Sequence, residues 1–491
     1  MSTPRTPPAS SAVQLKPMLI DGAWVSVDRD AFASINPATG EENFRVSAAT
    51  ASEVDRAVEA AWRAVREPAW RDMLQHQRAG ILRRIADAMD RESELFAQLQ
   101  MIENGKVWAE CKAQVASAAA TFRYYAGVCE TICAEVTPAR GNYLSMTRYE
   151  PYGVVAAITP WNSPLTMEAQ KVAPALAAGN AVILKPSEVT PSPALELGRL
   201  ALEAGLPPGI LNVVTGTGAV AGKGLVEHPG VRMVSFTGGT ASGRAIAIAA
   251  AQKLMPVALE LGGKSPHIVF ADADMDAAIE AVVGGIFEGS GQSCVAGSRL
   301  YVQAAIAQEF QERLVARTAR IKVDMPQAQG AQMGPIASFG HRQKIESMVQ
   351  SARDEGAEVL IGGQRPEAEA LAGGAFYQPT ILSGLRRDAL VVREEIFGPV
   401  LCALPFQDEE DLIEQANESV YGLASGIWTA DYRRAWRIAT RLEAGSVWIN
   451  TYKQLSVSTP FGGYKQSGLG REKGIGGLRL YQQSKGIYFG M

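Results

Sequence analysis

Apolar positions recur at helical spacing between about residues 50 and 105, which predicts amphipathic packing helices. Thr50 and Glu53 have the spacing of a capping box at the start of the first helix. A second apolar run is predicted to end at Asn104 and Gly105. The apolar face of the first helix is made by Val54, Val58, Ala61, Trp62 and Val65. We expect these helices to pack against a core and to carry little chemistry.

The pattern changes from residue 153 onward, where short β-branched runs alternate with Ala- and Leu-rich helical stretches. This alternation indicates parallel strands joined by crossover helices. It resumes after Cys294, so two α/β domains are expected. The strand-like runs are GVVAAITPW, AVILKPS, LNVVTG, VRMVSFTG and PVALELGG before Cys294, and RLYVQ, AEVLIGG, PVLCALPF and SVWIN after it.

Two further segments favour extended structure. The stretch from about 133 to 151 is interrupted by Pro138, Gly141 and Pro151 and predicts a hairpin. The C-terminal LRLYQQSKGIYFG places aromatic and β-branched residues near alternating positions, as an edge strand does. Because a long exposed edge needs covering, we expect subunits to pair there.

Composition narrows the classes of protein that fit. The 491 residues are 47% hydrophobic and 20% charged, which is typical of a globular protein with two large domains. A net charge of -4 makes nucleic acid and anionic membranes unexpected partners. Five cysteines without a CxxC pair favour a reducing compartment. The polar start MSTPRTPPASS is predicted to be a short disordered tail, and with no apolar run of about 18 residues we expect a cytoplasmic protein.

The polar motifs argue against several mechanisms. The scattered histidines, His76, His228, His267 and His341, have neither metal-ligand spacing nor a Ser-His-Asp hydrolase pattern, so no metal site is predicted. The glycine-rich stretch from Gly216 has the wrong spacing for an NTP-binding P-loop. These observations disfavour hydrolases of that type and NTPases.

A different glycine cluster is compatible with a dinucleotide. Gly238, Gly239 and Gly243 follow a predicted strand and precede an Ala-rich helix, whose first N–H groups would face a pyrophosphate. The stretch lacks the GxGxxG fingerprint. Dinucleotide binding and an ordinary glycine turn therefore both stay open on this feature alone.

Cys294 and Glu260 stand out as candidate reactive groups. GQSCVAGSR surrounds Cys294 with glycines and small polar residues, whereas structural cysteines usually have apolar neighbours. Glu260 ends the apolar run in VALELGGKSP, where an unpaired carboxylate is costly unless it has a function. Since no histidine stands beside the thiol, a base that activates water there must be a carboxylate.

Seven motifs, in order and over nearly the whole chain, resemble those of the NAD(P)-dependent aldehyde dehydrogenase superfamily. The separation of 34 residues between Glu260 and Cys294 agrees with the resemblance. The motifs are TPWNSP with Asn162, ILKPSE with Lys185 and Glu188, SFTGGTASG, LELGGKSP, GQSCVAGSR, EEIFGPV with Glu395 and Phe397, and PFGGYKQSGLGREKG.

The resemblance implies an α/β fold of three parts. A Rossmann-like, doubly wound NAD(P)-binding domain would take residues 1–132 and 152–261. A second doubly wound α/β domain, residues 262–470, would carry the nucleophilic cysteine. A small β element, residues 133–151 and 471–491, would join subunits into a homodimer or homotetramer.

The implied reaction oxidises a small-molecule aldehyde to a carboxylic acid. The Cys294 thiolate attacks the aldehyde carbon, while the Asn162 amide and the Cys294 backbone N–H hold the developing oxyanion. After a hydride leaves for the nicotinamide, Glu260 activates the water that cleaves the thioester. Lys171 and Glu472 match a proposed proton route from that glutamate.

The same resemblance implies the cofactor contacts. Lys185, Ser187 and Glu188 would surround the adenosine ribose, and Glu188 favours NAD, with NADP as the alternative. Glu395 would hold the nicotinamide ribose. The other implied contacts are Gly238 and Gly243 at the pyrophosphate, Trp161 beside Asn162, Leu261 and Phe397.

Four polar residues bear on the identity of the aldehyde. Ser163, Gln170, Glu288 and Ser290 stand where relatives selective for apolar aldehydes often carry large apolar side chains. They predict a polar, hydroxylated or amino-bearing aldehyde, unless they face solvent at a wide cavity mouth.

Three alternative functions stay open beside this one. One is an aldehyde dehydrogenase that acylates coenzyme A, and another is a cysteine acyltransferase or thioesterase without redox chemistry. The third is a catalytically silent relative. The joint presence of Cys294, Glu260 and Asn162 argues against a silent protein, and Glu260 as a water activator favours hydrolysis.

Overall fold

The computed structural model describes residues 14–491, so the predicted N-terminal tail lies outside the described residues. Every run predicted as a strand forms one. The strands are β1 (Leu15–Lys16), β2 (Met18–Ile20), β3 (Ala23–Val25), β4 (Phe32–Ile35), β5 (Glu42–Val46), β6 (Glu135–Thr137), β7 (Tyr143–Pro151), β8 (Val154–Ile158), β9 (Ala181–Lys185), β10 (Leu211–Val213), β11 (Met233–Thr237), β12 (Val257–Glu260), β13 (Pro266–Val269), β14 (Arg299–Gln303), β15 (Glu358–Ile361), β16 (Thr380–Ser383), β17 (Val400–Phe406), β18 (Tyr421–Gly422), β19 (Ala424–Trp428), β20 (Ser446–Ile449), β21 (Tyr464–Lys465), β22 (Gly468–Leu469) and β23 (Gln482–Gly490).

The helices of the first 105 residues form as the apolar pattern predicts. Thr50 and Glu53 make the capping box, and Gly105 ends the last of these helices in the left-handed conformation with φ of 77°. The helices are α1 (Ala51–Arg66), α2 (Pro68–Arg71), α3 (Gln75–Arg91), α4 (Ser93–Asn104), α5 (Trp108–Thr131), α6 (Pro164–Ala177), α7 (Ser192–Glu203), α8 (Lys223–Glu227), α9 (Thr240–Gln252), α10 (Met275–Phe287), α11 (Ala307–Thr318), α12 (Phe339–Asp354), α13 (Leu390–Arg393), α14 (Glu409–Asn417), α15 (Tyr432–Ala439) and α16 (Gly474–Arg479).

An eight-stranded sheet has the order β22-β12-β11-β8-β9-β10-β2-β3. Its central strands β12, β11, β8, β9 and β10 are parallel, and antiparallel β22 and β2 flank them. The chain starts the parallel part at β8, adds β9 and β10 on one side, and then adds β11 and β12 on the other. Strand order therefore reverses beside β8, which is where a doubly wound sheet opens a ligand crevice at its carboxyl ends.

A seven-stranded sheet has the order β15-β16-β17-β14-β13-β19-β20, parallel except for β15. In β13, the neighbours Ile268 and Val269 belong to two different apolar clusters, because successive strand residues point to opposite faces. Helices α12 to α15 contribute to one cluster, and α10 and α11 to the other. Both faces are thus covered, and the predicted pair of doubly wound α/β units is confirmed. The domain boundaries given above stay a prediction.

The predicted hairpin and C-terminal strand form a separate three-stranded sheet in the order β23-β7-β6. The whole of β23 pairs antiparallel with β7, from Gln482 opposite Pro151 to Gly490 opposite Tyr143. The expectation that the strand already begins at Leu478 is wrong: Leu478 lies in α16 and is buried in the core of the first unit. Burial of this apolar side chain outweighs the alternating pattern, so the strand starts four residues later.

No helix in residues 14–491 is both long enough and apolar enough to cross a membrane.

Candidate active site

A cavity of about 470 Å³ opens at the carboxyl ends of β8, β11 and β12. Residues from α5 and α6 line one part of it, and residues 293–295 and 455–473 of the other unit face them. The predicted site residues that line it are Trp161, Asn162, Gly238, Glu260, Leu261, Cys294, Glu395 and Phe397. These residues, from five of the seven sequence motifs, therefore converge on one crevice between the two α/β units.

Cys294 enters this cavity on a tight turn after α10. Gly289, Ser290 and Gly291 all have positive φ, and a Cβ atom on Gly291 would lie 2.1 Å from the carbonyl oxygen of Gly398. The chain therefore needs glycine at 291 to bring the thiol past this backbone. Cys294 is a free thiol. Burial raises its pKa to about 12, and the carboxylates of Glu260 and Glu395 act in the same direction.

Asn162 comes from the loop between β8 and α6. Its Nδ2 donates a hydrogen bond of 2.9 Å to the carbonyl oxygen of Gln292, two residues before Cys294. Gln292 is itself fixed, because its Oε1 accepts from the Ala337 N–H at 2.9 Å and its Nε2 donates to the carbonyl of Gly289. The amide and the thiol loop are thus held in one hydrogen-bonded arrangement.

Glu260 is the last residue of β12 and is 5% exposed. Its Oε2 has no hydrogen-bond partner among residues 14–491. Burial raises its pKa well above the ordinary value; Glu472 adds to the rise, while Lys171 opposes it. An unpaired, buried carboxylate with a raised pKa beside a cavity is the arrangement expected of a general base.

Lys171 and Glu472 form a buried ion pair behind Glu260, with 2.6 Å between Nζ and Oε1. Lys171 also donates to Oγ of Ser235, which donates to Glu472, and Gln170 Nε2 donates to the other carboxylate oxygen of Glu472. Neither charge is the solvated surface group that such residues usually are. Their participation in proton transfer stays a prediction.

Glu395 and Phe397, two residues apart in the EEIFGPV motif, both line the cavity. The Gly263 N–H donates to Glu395 Oε1 at 2.9 Å, and burial raises the pKa of this carboxyl to about 7. Phe397 adopts a positive φ of 58° and meets the ring of Trp161 edge to face, with 5.3 Å between ring centroids. This aromatic pair forms a fixed wall of the cavity.

The glycines of SFTGGTASG have two different positions. Gly238 and Gly239 line the cavity just before α9, and the buried hydroxyl of Thr237 beside them has no partner within the described chain. Gly243 lies one turn into α9, where a Cβ atom would come within 2.4 Å of Leu261. Gly243 therefore allows close packing of helix and strand and does not line the cavity.

Lys185, Ser187 and Glu188 lie together at the carboxyl end of β9, outside the main cavity. The buried Lys185 has its Nζ 3.4 Å from Glu188 Oε2, and Glu188 Oε1 accepts from the Gly218 N–H at 2.6 Å. Ser187 Oγ accepts from the Val189 N–H and so stabilises the turn. The carboxylate of Glu188 is held by two contacts and is partly exposed.

Two of the four residues expected to select the aldehyde do not reach the cavity. Ser163 and Gln170 line it, whereas Ser290 is buried and donates to the Gly334 carbonyl at 2.9 Å. Glu288 is exposed. The expectation is therefore wrong for Glu288 and Ser290, because the positive-φ turn at 289–291 directs both side chains elsewhere.

Other cavity residues were not identified from the sequence. Helix α5 contributes Gln114, Ser117 and Thr121, whose spacing of three and four residues places them on one helix face. That spacing was the available signal, within an otherwise Ala-rich helix. The remaining missed residues that bear charge or titrate are His341, Lys344 and Lys473. Lys473 lies in the motif PFGGYKQSGLGREKG, which gave it no role, and no motif includes the other two.

Comparisons with known proteins agree with this site. The family model for the aldehyde dehydrogenase family matches residues 24–487. A crystal structure of betaine aldehyde dehydrogenase from Staphylococcus aureus in complex with NAD+ is 38% identical, covers 97% of this chain and 95% of its own, and has a TM-score of 0.95. An NAD+ complex of an aldehyde dehydrogenase from Bacillus cereus is 38% identical over 97% of both chains, with a TM-score of 0.95. The resemblance stated from the motifs is confirmed: the chain belongs to the aldehyde dehydrogenase family and is an oxidoreductase.

Proposed function

We propose that this protein oxidises a polar aldehyde to a carboxylic acid with NAD, through a thioester on Cys294 that is hydrolysed with the help of Glu260. One observation carries the proposal. A single cavity brings together a free thiol, an unpaired buried carboxylate and a fixed side-chain amide, which belong to Cys294, Glu260 and Asn162. These are the nucleophile, general base and oxyanion donor that acyl chemistry at an aldehyde carbon needs.

The chain offers a site that fits a nicotinamide dinucleotide. The unpaired Thr237 hydroxyl and the cavity-facing Gly238 and Gly239 lie before the N-terminus of α9, a favourable place for a pyrophosphate. Glu188 would accept from the adenosine ribose and Glu395 from the nicotinamide ribose. The other holding residues would be Lys185, Ser187, Leu261, Trp161 and Phe397. When bound, NAD supplies the oxidised ring that accepts the hydride.

Covalent attack begins the chain's own part of the reaction. The Cys294 sulfur bonds to the aldehyde carbon, the carbonyl electron pair moves to oxygen, and the thiol proton passes to a base. With its pKa raised to about 12, the thiol ionises only when its proton is accepted during attack. Water entering the cavity would accept this proton, which leaves the Glu260 carboxylate ionised for the later hydrolytic step. The Asn162 Nδ2 and the Cys294 N–H would stabilise the oxyanion.

Loss of the hydride leaves a thioester on Cys294, which water then cleaves. Glu260 takes one proton from the attacking water, the new C–O bond forms, and the C–S bond breaks to release the Cys294 sulfur as a thiolate, which regains its proton from water in the cavity. Lys171 and Glu472 would pass the proton onward, since they lie buried behind Glu260 and are linked through Ser235. A raised pKa makes Glu260 a stronger base than an ordinary glutamate.

The proposed activity differs from its alternatives in observable products. Incubation with NAD and a panel of aldehydes should raise the absorbance of NADH and form free acid without coenzyme A. Turnover without NADH would identify a cysteine acyltransferase or thioesterase. Formation of NADH together with an acyl-coenzyme A in place of free acid would identify the acylating enzyme. The unpaired Glu260 carboxylate favours hydrolysis of the thioester over its transfer to coenzyme A.

We propose further that β23 serves oligomerisation. It is an edge strand with exposed Tyr488 and Phe489, and covering such an edge is a reason for subunits to pair. In this assignment residues 133–151 and 471–491 form the oligomerisation element, 1–132 and 152–261 the cofactor domain, and 262–470 the catalytic domain.

NAD should be preferred over NADP, and Glu188 should cause the preference. A 2′-phosphate at the adenosine ribose would meet the Glu188 carboxylate, which the Gly218 N–H and Lys185 keep in place. Like charges brought this close disfavour binding, so we expect kcat/KM to favour NAD by about tenfold or more. Glu188→Gln should lower the ratio of kcat/KM for NAD to kcat/KM for NADP, because the negative charge at position 188 is removed while the side-chain hydrogen bonds can remain. An enzyme that prefers NADP would contradict the placement of Glu188 at the ribose.

A hydroxyaldehyde should be a better substrate than an alkyl aldehyde of similar length. The amide orientation of Gln170 is set by the Glu472 carboxylate, which can only accept, so Gln170 Oε1 is left without a partner in the described chain. A substrate hydroxyl would satisfy this oxygen, whereas an alkyl chain would leave it unpaired. Comparing kcat/KM for 4-hydroxybutanal and pentanal should favour the former by about tenfold. Equal or better use of pentanal would show that the polar lining selects nothing.

A further inference from the structure

Lys473 places a positive charge in the substrate part of the cavity. It lines the same cavity as Cys294 and Gln170, and its Nζ lies 5.3 Å from the ring centroid of Phe461. It makes neither a hydrogen bond nor an ion pair with any of residues 14–491. Glu472, the adjacent carboxylate, is already paired with Lys171. The ammonium charge of Lys473 is therefore available to a ligand.

The backbone holds Lys473 in this position firmly. Glu472 and Phe461 exchange both backbone hydrogen bonds at 2.8 Å, and the Gly474 N–H donates to Val457 at 2.9 Å. Between these anchors Lys473 has a φ of 62°, a conformation that glycine adopts more easily than lysine. Retaining a long cationic side chain at a strained position on a cavity wall indicates a function for that side chain.

The distribution of charge in the cavity distinguishes Lys473 from Lys344. Lys344 lies with Glu395, Phe397 and His341, on the side where the cofactor would bind. Among the described residues that α5, α6 and 455–473 contribute to the cavity wall, Lys473 is the only charged one. The carboxylates of Glu472 and Glu260 are near enough to act on its charge, while the other residues of this wall are neutral polar or apolar. The hydroxyl of Ser163, which accepts from Gln114, keeps its own proton free to donate.

We propose that the preferred substrate is an aldehyde that also carries a carboxylate, and that Lys473 binds the carboxylate. This inference rests on the proposed function and specifies the substrate class at the same site. An ammonium group and a hydroxyl donor on one wall suit a carboxylate, since charge-assisted hydrogen bonds are stronger than neutral ones. The same charge disfavours amino-bearing and quaternary ammonium aldehydes. The polar wall then selects an anion, with neutral hydroxyaldehydes as weaker substrates.

Three aldehydes separate charge from size. They are 4-oxobutanoate, its neutral methyl ester, and the cationic betaine aldehyde. We expect kcat/KM to fall in that order, with the acid favoured over the ester by about tenfold or more. Lys473→Gln should reduce the acid-to-ester ratio by about tenfold, mainly through KM, because the ion pair contributes to binding. Lys473→Glu should shift preference toward betaine aldehyde. Lys322→Gln, a change at an exposed lysine outside the cavity, is the matched control and should leave the ratio unaltered.

A structural role for Lys473 would give a different pattern, because it would lower activity toward all three aldehydes equally. Inhibition by succinate against the ester provides a second measurement, and Lys473→Gln should weaken it about tenfold. An unchanged acid-to-ester ratio in Lys473→Gln, or better use of betaine aldehyde by the unmodified enzyme, would overturn the inference while leaving the proposed oxidation intact. Absence of NADH with every aldehyde would overturn the proposed function itself.

Discussion

Cys294→Ala should abolish acid formation, with a loss of kcat of about 10⁴-fold or more. The cavity holds no second thiol, since the other cysteines of the described chain, Cys111, Cys129, Cys133 and Cys402, do not line it. Without the sulfur there is no covalent adduct from which a hydride can leave. NADH production with a saturating aldehyde measures the loss directly.

Cofactor binding provides the control for this variant. None of the proposed ribose contacts, Lys185, Glu188 and Glu395, involves the thiol, so NAD should bind Cys294→Ala and raise its thermal midpoint as it does for the unmodified enzyme. Cys133→Ser removes an exposed thiol that does not line the cavity, and this variant should retain full activity. Appreciable turnover by Cys294→Ala would rule out Cys294 as the nucleophile.

The sequence was most informative where one motif sets one local structure. Strand β12 could be predicted because an apolar run ends at Glu260 before two glycines, and α1 because Thr50 and Glu53 form its capping box. Strands β13, β16 and β19 were missed. Their sequences PHIV, TILS and ASGIW are short and mix proline, serine, glycine or histidine with apolar residues, so burial between neighbouring strands decides their structure rather than local propensity.

In the candidate site, too, residues within a recognised motif could be predicted, whereas residues placed by contacts between segments could not. Cys294, Glu260 and Asn162 lie in motifs with defined spacing, so the sequence predicted that they meet. Lys473 follows Glu472 in a loop without periodicity. Its access to the cavity depends on the backbone pairing of Phe461 with Glu472. This pairing leaves no periodic signal in the local sequence. For the same reason the burial of Lys171 and Glu472 as an ion pair was not foreseen.

Glu260→Gln should separate the two halves of the reaction. Thioester formation can still proceed, but its hydrolysis lacks the base, so we expect a burst of about one NADH per active site, followed by a steady state lowered by about 10²- to 10⁴-fold. Rapid-mixing measurement of NADH, with acid quenching to detect the acyl-enzyme, tests this. Glu312→Gln, at an exposed glutamate of α11, is the matched control and should show unmodified kinetics.

The pH dependence of the same step gives an independent test of Glu260. Hydrolysis needs the ionised carboxylate, and burial together with Glu472 raises the pKa of Glu260 well above its ordinary value. The rate of deacylation should therefore be highest at pH values above that raised pKa and should decline as the pH falls through it. This decline should occur at a higher pH than an ordinary glutamate would give. Glu260→Gln should lack this decline in single-turnover hydrolysis of the acyl-enzyme. If Glu260→Gln keeps both the decline in rate at low pH and the steady-state rate of the unmodified enzyme, another residue is the base. Neither property can survive loss of the Glu260 carboxylate if that carboxylate activates the water.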